Sequence, residues 1–151
     1  MPEYFISCDN TLLDAEFIVR SLQSTYWAGT RPREVILESM QRSLCFGAYL
    51  TDSRQQVGFA RVVTDQTTFS WLCDVFVEPA HRRCGLGKRL VAELLSDPRI
   101  AKTRVYLGTK DAHGLYERFG FARWELMRRP TEPNSEASGP APIAVTPPAR
   151  P

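Results

Sequence analysis

The segment VEPAHRRCGLGK at 77–88 is the most informative part of the sequence, because it joins an apolar strand to an amphipathic helix through two glycines. The strand-like residues FSWLCDVFV precede it at 69–77, and leucines recur at helical spacing after it, over 85–95. A junction of this kind places free backbone N–H groups and the positive end of a helix dipole at one point. The sequence therefore predicts a loop that binds phosphate.

Three phosphate-binding patterns can be compared with this loop. A Walker loop requires glycine at position 82 and Ser or Thr after the lysine, where this chain has Arg82 and Arg89. A dinucleotide-binding fingerprint requires a third glycine at position 90, which is Leu90. The third pattern, Arg/Gln-x-x-Gly-x-Gly/Ala, is matched completely by RRCGLG at 82–87.

With this motif the chain resembles the GNAT superfamily of acyl-CoA-dependent N-acyltransferases. A second stretch, AHGLYERFGF at 112–121, is similar to the superfamily's signature A-x-x-L-Y-x-x-x-G-F. Many members carry asparagine seven residues before the tyrosine, whereas this chain has Thr109. The resemblance covers about positions 3–127. It implies an enzyme that transfers an acetyl or other acyl group from acetyl-CoA directly to a primary amine of a small molecule or protein.

The hydrophobic pattern of the rest of the chain predicts an α/β (α+β) fold. Strands are predicted at 3–9, 44–50, 56–64, 69–77, 103–109 and 121–127, and helices at 11–26, 32–40, 85–95 and 112–119. Asn10 is predicted to cap the first helix. With the resemblance, this order predicts a GNAT-like mixed, mostly antiparallel sheet of six or seven strands flanked by about four helices.

The composition limits the kinds of partner. Nineteen Lys and Arg stand against 17 Asp and Glu, a formal net charge of +2, which excludes a strongly basic nucleic-acid binder. No apolar run approaches the roughly 20 residues of a membrane span, and no basic leader precedes an apolar stretch. We therefore expect a cytoplasmic protein, monomeric or homodimeric, with no membrane or nucleic-acid partner. Four cysteines without a CxxC pattern, and two histidines, predict no metal site.

The composition changes sharply at Pro130. Seven of the 11 prolines lie at or after this position, and the same segment contains no aromatic residue. Such a segment buries too little apolar surface to offset its ordering entropy. The sequence therefore predicts one domain at 1–129 and a disordered, proline-rich tail at 130–151.

The resemblance also implies which residues form the site. Tyr116 corresponds to the family's tyrosine that protonates the leaving thiolate. Backbone groups of Val75, Phe76 and Val77 are implied to contact the pantetheine arm and the thioester carbonyl. The remaining residues implied to bind acetyl-CoA are Arg82, Arg83, Cys84, Gly85, Leu86, Gly87, Lys88 and Ala112.

Asp74 interrupts an otherwise apolar run beside the expected thioester site. A carboxylate there must be paired, because burying it alone costs several kcal/mol. It can meet a substrate ammonium or a water relay and so act as a catalytic base. The alternative is a structural ion pair with Arg61 on the preceding strand.

Tyr26, Trp27 and Arg31 lie between the first two helices, around Gly29. Aromatic residues and an arginine around a glycine suit a mobile lid over an acceptor pocket, where Arg31 can bind a carboxylate or phosphate. The alternative is a plain turn between helices.

Two classes of function are thus open. The first is an N-acetyltransferase, and the second is a non-catalytic acyl-CoA-binding sensor or regulatory module of the same fold. Tyr116 discriminates between them, since a binding module needs no acid at that position.

Overall fold

Five strands form one mixed sheet in the computed structural model, which describes residues 1–131. Neighbouring strands are antiparallel from the first to the fourth, and the last pair is parallel. The strands, in their order across the sheet, are β1 (Tyr4–Ser7), β2 (Leu44–Leu50), β3 (Gln56–Thr64), β4 (Phe69–Val77) and β5 (Arg104–Leu107). This confirms the predicted α/β fold with a mostly antiparallel sheet.

The described part of the chain has five helices: α1 (Ala15–Gln23), α2 (Arg33–Gln41), α3 (Leu86–Ser96), α4 (Pro98–Ala101) and α5 (His113–Glu117). Two single 3₁₀ turns lie at Asn10–Leu12 and Pro79–His81. The first helix begins later than predicted, because Asp14 and not Asn10 caps it. The Asp14 carboxylate accepts a hydrogen bond of 3.0 Å from the backbone N–H of Phe17.

The helices cover both faces of the sheet, and the alternation of side chains along each strand separates two parts of the core. On β2, Cys45 packs with α1 and α2, whereas the next residue, Phe46, packs with α3 on the opposite face. On β3, Phe59 lies on the same face as Cys45, and the next residue, Ala60, lies on the same face as Phe46. The central strands β2 and β3 are therefore buried on both sides, and the site lies where β4 departs from this regular pattern.

The predicted strand at 121–127 does not form, so within residues 1–131 the sheet has five strands and not six or seven. A cavity of about 880 Å³, lined by residues of β5 and of this segment, lies between the two. The strand ladder accordingly ends at β5. Trp124, Leu126 and Met127 are 62%, 46% and 94% exposed, so the segment buries no continuous apolar face of the kind that fixes a strand's register.

Only Pro130 and Thr131 of the predicted tail belong to the part of the chain that the structure describes, and residues 132–151 lie outside it. Within residues 1–131, no helix has the length and apolar character that crossing a membrane requires.

Candidate active site

A β-bulge in β4 forms the centre of the candidate site. Phe59 of β3 lies opposite Phe76 and Arg61 lies opposite Cys73, so one β3 residue faces two residues of β4, one of which is Asp74. Asp74 has a φ of 56°, in the left-handed region that aspartate tolerates better than most residues. The extra residue shifts the alternation of the strand by one position beyond this point.

Beyond the bulge, β4 has no strand beside it on the β5 side in the described chain. The parallel pairing with β5 runs only from Phe69–Arg104 to Leu72–Leu107, whereas β4 continues to Val77. Val75, Phe76 and Val77 therefore border a gap, which we call the β4–β5 gap. Backbone groups of residues 75–77 that face this gap can hydrogen bond to an extended ligand.

The loop that follows β4 has the geometry of an anion site. Gly85 has a φ of 83°, and α3 begins directly after it at Leu86 with no side chain capping its first turn. The N–H groups of that first turn are thus free to bind a ligand at the positive end of the helix dipole. A Cβ added at Gly87 would meet only Val77 Cγ2, at 3.8 Å, so backbone and ligand can approach closely there.

One side chain of this loop, Arg82, binds the end of β4, and three others extend into solvent. Arg82 donates from Nε to the carbonyl of Val77 at 2.7 Å, and its guanidinium lies 5.4 Å from the ring centre of Phe76. Arg83 and Lys88 are exposed, and Cys84 is exposed as well. The loop therefore presents positive charge next to the free amides of α3.

Tyr116 lies on α5, borders the 880 Å³ cavity, and is 8% exposed. Its ring contacts that of Phe121 edge to face, with ring centres 5.8 Å apart. Burial is the main cause that raises the pKa of Tyr116 to about 12. The phenol is therefore protonated at neutral pH and is able to donate a proton or a hydrogen bond.

The carboxylate of Asp74 is almost fully buried, with its side chain 1% exposed. It accepts hydrogen bonds from three side chains, those of Arg61, Arg31 and Trp27. Its Oδ2 accepts from Arg61 Nε at 2.9 Å and from Arg31 Nη1 at 2.8 Å. Its Oδ1 accepts from Trp27 Nε1 at 3.1 Å. The ion pair with Arg61 is present, and the segment between α1 and α2 is bound to β4 as well. The catalytic role of Asp74 stays a prediction.

Tyr26 connects this segment to α5. Its ring contacts that of Trp27 edge to face, with ring centres 5.0 Å apart, and Lys110 Nζ lies 5.5 Å from the Tyr26 ring centre. The pKa of Tyr26 is raised by burial and by the charge of Asp111. Tyr26 and Asp111 in turn contribute to the raised pKa of Tyr116.

Asp111 was not among the residues singled out from the sequence. The only sequence signal for Asp111 is its place directly before the second family signature. Its side chain is exposed, and its charge contributes to the raised pKa of Tyr116 and of Tyr26.

Thr109 and His81 have structural contacts near the site. Thr109, which stands where many family members carry asparagine, is buried, and its hydroxyl accepts a hydrogen bond of 3.0 Å from the N–H of Ala112, where the turn leads into α5. His81 hydrogen bonds through Nδ1 to the hydroxyl of Tyr4 at 2.9 Å and so connects β1 to the loop.

Comparisons with known proteins agree with this architecture. The model of the acetyltransferase (GNAT) domain family matches residues 41–123, which is 83 of the 151 residues. A GNAT-family protein from Xanthomonas campestris pv. campestris, known from a crystal structure, is 41% identical with a TM-score of 0.80, over 85% of this chain and 94% of that one.

Two further relatives are more distant. The Gibberella zeae protein named "Putative acetyltransferase FG08082" is 32% identical over 104 residues, which is 57% of this chain and 59% of that relative. Rv2747 from Mycobacterium tuberculosis, whose crystal structure contains CoA, shares the fold with a TM-score of 0.65 at 20% identity, over 85% of this chain and 76% of that one. The two sequence signatures, the sheet and the family match agree, and the chain belongs to the GNAT family of acetyltransferases.

Proposed function

We propose that the chain transfers an acetyl group from acetyl-CoA to the primary amine of an acceptor in one direct step. The observation that carries this proposal is the β4–β5 gap, which has the uncapped start of α3 at the far end of β4 and Tyr116 on a helix following β5. An extended thioester lying along residues 75–77 would have its anionic end at α3. That Rv2747, which has the same fold, was crystallised with CoA supports a CoA thioester as the co-substrate.

The loop from Arg82 to Lys88 would bind the pyrophosphate of CoA. Backbone amides in the first turn of α3 are suitable donors for phosphate oxygens, and the positive φ of Gly85 orients that turn. Arg83 and Lys88 add exposed positive charge at the same place. Arg82 has its Nε bound to Val77, so it would connect the pyrophosphate to the end of β4.

The backbone of residues 75–77 would hold the pantetheine arm and stabilise the oxyanion of the tetrahedral intermediate. Donors fixed in position at a developing oxyanion are commonly the largest contribution to catalysis. In this strand the pairing with β3 and the bulge fix the backbone before any substrate arrives. Ala112, at the start of α5, would lie against the arm from the other side of the gap.

Tyr116 would protonate the sulfur as the carbon–sulfur bond breaks. The neutral amine attacks the thioester carbon, the tetrahedral intermediate collapses as the carbon–sulfur bond breaks, and the thiolate takes the proton of the phenol. The proton that the amine nitrogen loses passes to solvent, and the Tyr116 phenolate takes a proton back from solvent. A pKa of about 12 for Tyr116, against about 8.5 for a thiol, makes complete transfer from the resting enzyme uphill by roughly 5 kcal/mol. We therefore expect Tyr116 to donate a hydrogen bond until the sulfur carries substantial charge.

The two cysteines on the central strands, Cys73 of β4 and Cys45 of β2, do not favour a covalent acyl-enzyme. Burial raises the pKa of Cys73, the neighbour of Asp74, to about 12, and it raises the pKa of Cys45 to about 11. Because the thiolate is the nucleophile, thiols with such values are unreactive near neutral pH. This supports direct transfer to the amine.

The experiment that tests this proposal uses the purified chain, acetyl-CoA and pooled amines, with release of free thiol as the readout. Amine-dependent thiol release supports an acetyltransferase. Calorimetric binding of acetyl-CoA without any release supports the sensor or regulatory module instead.

A further inference from the structure

We infer that the acceptor carries, besides its amine, a negatively charged carboxylate or phosphate group that binds Arg31. This inference rests on the proposed function and names the class of acceptor. It is carried by the balance of charge and of hydrogen-bond donors around Asp74.

The cluster contains two positive charges and one negative charge. Arg61 and Arg31 both donate to the same oxygen, Oδ2 of Asp74, and their side chains are 13% and 25% exposed. Within residues 1–131, no other acidic side chain lies within 4.0 Å of either guanidinium. One positive charge is therefore left unneutralised where access of water is restricted, and such a charge favours an anionic partner.

Arg31 is the member of the cluster with donors to spare. Arg61 uses Nε for Asp74 and Nη1 for the hydroxyl of Ser43 at 3.0 Å, which places it inside the fold. Arg31 uses only Nη1 for a side-chain partner in the described residues, and it is the more exposed of the two arginines. A planar guanidinium with free donors suits the two oxygens of a carboxylate or phosphate.

The guanidinium of Arg31 is also held in place before a ligand arrives. Its Nη1 is fixed by Asp74, and its backbone carbonyl accepts a hydrogen bond of 3.1 Å from Gln23 Nε2. The backbone N–H of Arg31 donates to the carbonyl of Ala28, also at 3.1 Å. A group ordered in advance loses little entropy when it binds, so this arginine suits recognition.

The position of Arg31 allows one small molecule to reach both it and the reacting centre. The segment that carries Arg31 also carries Trp27, bound to Asp74, and Tyr26, whose ring contacts that of Trp27. One further charge lies at this segment, since Lys110 Nζ is 5.5 Å from the ring centre of Tyr26. Arg31 itself lies 2.8 Å from the carboxylate of Asp74, the residue directly before Val75, so it can bind the anion of an acceptor whose amine lies at residues 75–77.

Matched pairs of amines test the inference. Glycine is compared with glycinamide, β-alanine with its amide, and O-phosphoethanolamine with ethanolamine, in the acetyl-CoA thiol-release assay. We expect kcat/KM to be at least about 10-fold higher for the anionic member of a pair, because that member gains a charge-assisted hydrogen bond to Arg31. The preference should disappear in Arg31→Gln and survive in Arg33→Gln, which removes an exposed arginine that pairs with Glu16 on α1. The pair with the larger ratio distinguishes carboxylate from phosphate.

A preference for the neutral members, or an anion preference that survives Arg31→Gln, overturns the inference. If no amine is acetylated, the proposed function fails, and binding decides the inference separately. The CoA-loaded chain is then titrated calorimetrically with N-acetylglycine, N-acetylglycinamide and inorganic phosphate. Binding of an anion that Arg31→Gln removes and Arg33→Gln preserves supports an anion site, and absence of such binding overturns it.

Discussion

Asp74 of β4 and Arg61 of β3 form an ion pair of 2.9 Å across the bulge that shifts the register of these two strands. The bulge also reverses which face the later side chains of β4 occupy. Leu72 and Phe76 are four positions apart, yet they lie in different parts of the core, on opposite faces of the sheet. Asp74 therefore lies where the side-chain alternation of β4 shifts by one residue. Its carboxylate also binds Trp27 and Arg31 of the segment between α1 and α2.

Replacement of Asp74 by asparagine should destabilise the fold. Asparagine tolerates the positive φ of this position, so the bulge can be kept, but two guanidiniums lose their only carboxylate in the described chain. Breaking a buried ion pair by removal of one partner typically costs about 3–5 kcal/mol. Urea unfolding measures the loss. Glu16→Gln, which breaks an exposed ion pair with Arg33, is the control and should change stability little. An Asp74→Asn variant as stable as this control contradicts the account.

Gly87→Glu should abolish binding of acetyl-CoA while the chain stays folded. A Cβ at this position meets no close neighbour, so the fold is kept, whereas a carboxylate would occupy the expected phosphate position. Calorimetry measures the affinity. Ala92→Glu adds the same charge on an exposed position of the same helix, and it should bind acetyl-CoA as the parent does. Equal affinity in both variants would refute the assignment of the loop.

Tyr116→Phe should lower kcat by roughly 10²–10⁴-fold, because general acid catalysis contributes about that much. The ring is kept, so packing against Phe121 and binding of acetyl-CoA should change little. The loss should appear in kcat and in kcat/KM together, as for an interaction made only in the transition state. Tyr106→Phe, which alters another tyrosine at the same cavity, is the control and should turn over normally. A Tyr116→Phe variant within a factor of about three of the parent removes the catalytic role.

The pH dependence of kcat should lack a descending limb below about pH 10. Burial raises the pKa of Tyr116 to about 12, so the phenol keeps its proton, and its capacity as an acid is lost only as the pH rises through that value. Activity should instead increase with pH as the acceptor amine loses its proton. Initial rates at saturating acetyl-CoA from pH 6 to 10 provide the measurement. A fall in kcat above pH 8 in a chain that stays folded would show that a group with a lower pKa is the acid.

Cys73→Ala should leave kcat within a factor of about three. The pKa of the Cys73 thiol is raised to about 12 by burial, so it is neutral and does not attack a thioester near neutral pH. Mass spectrometry of the parent, mixed with acetyl-CoA and no amine, should detect no acetylated chain. An acetyl adduct on Cys73 that forms and then transfers to the amine would require a two-step mechanism.

Much of the fold could be predicted from local pattern. The bounds of β2, β3 and β4 agree with the predicted strands to the residue, because each is an apolar, β-branched and aromatic run ended by turn residues. The start of α1 was predicted four residues too early, with Asn10 as its cap. Asn10 instead lies in a 3₁₀ turn capped by Asp9, and Asp14 caps α1. The strand predicted at 121–127 failed because pairing depends on a partner distant in sequence.

The site residues that belong to a sequence motif could be predicted, whereas the contacts that depend on the folded geometry of β4 could not. The glycines of the loop and Tyr116 stand in signatures that can be read directly. The bulge could not be predicted, since Asp74 in the left-handed region resembles any strand residue in sequence. The pair of Asp74 with Arg61 was one of two alternatives, because the two residues lie on successive strands. The contacts of Trp27 and Arg31 with the same carboxylate join positions up to 47 residues apart, and no spacing rule indicates them.

The central claim is that this chain moves an acyl group and does not only bind it. The measurement that tests it most directly counts free CoA thiol and N-acetylated amine in the same reaction, by thiol titration and mass spectrometry. We predict one acetylated amine for each thiol released, and no release above the uncatalysed rate without the amine. Thiol release without an acetylated product would show hydrolysis, and binding of acetyl-CoA with neither product would show a sensor; either result contradicts the claim.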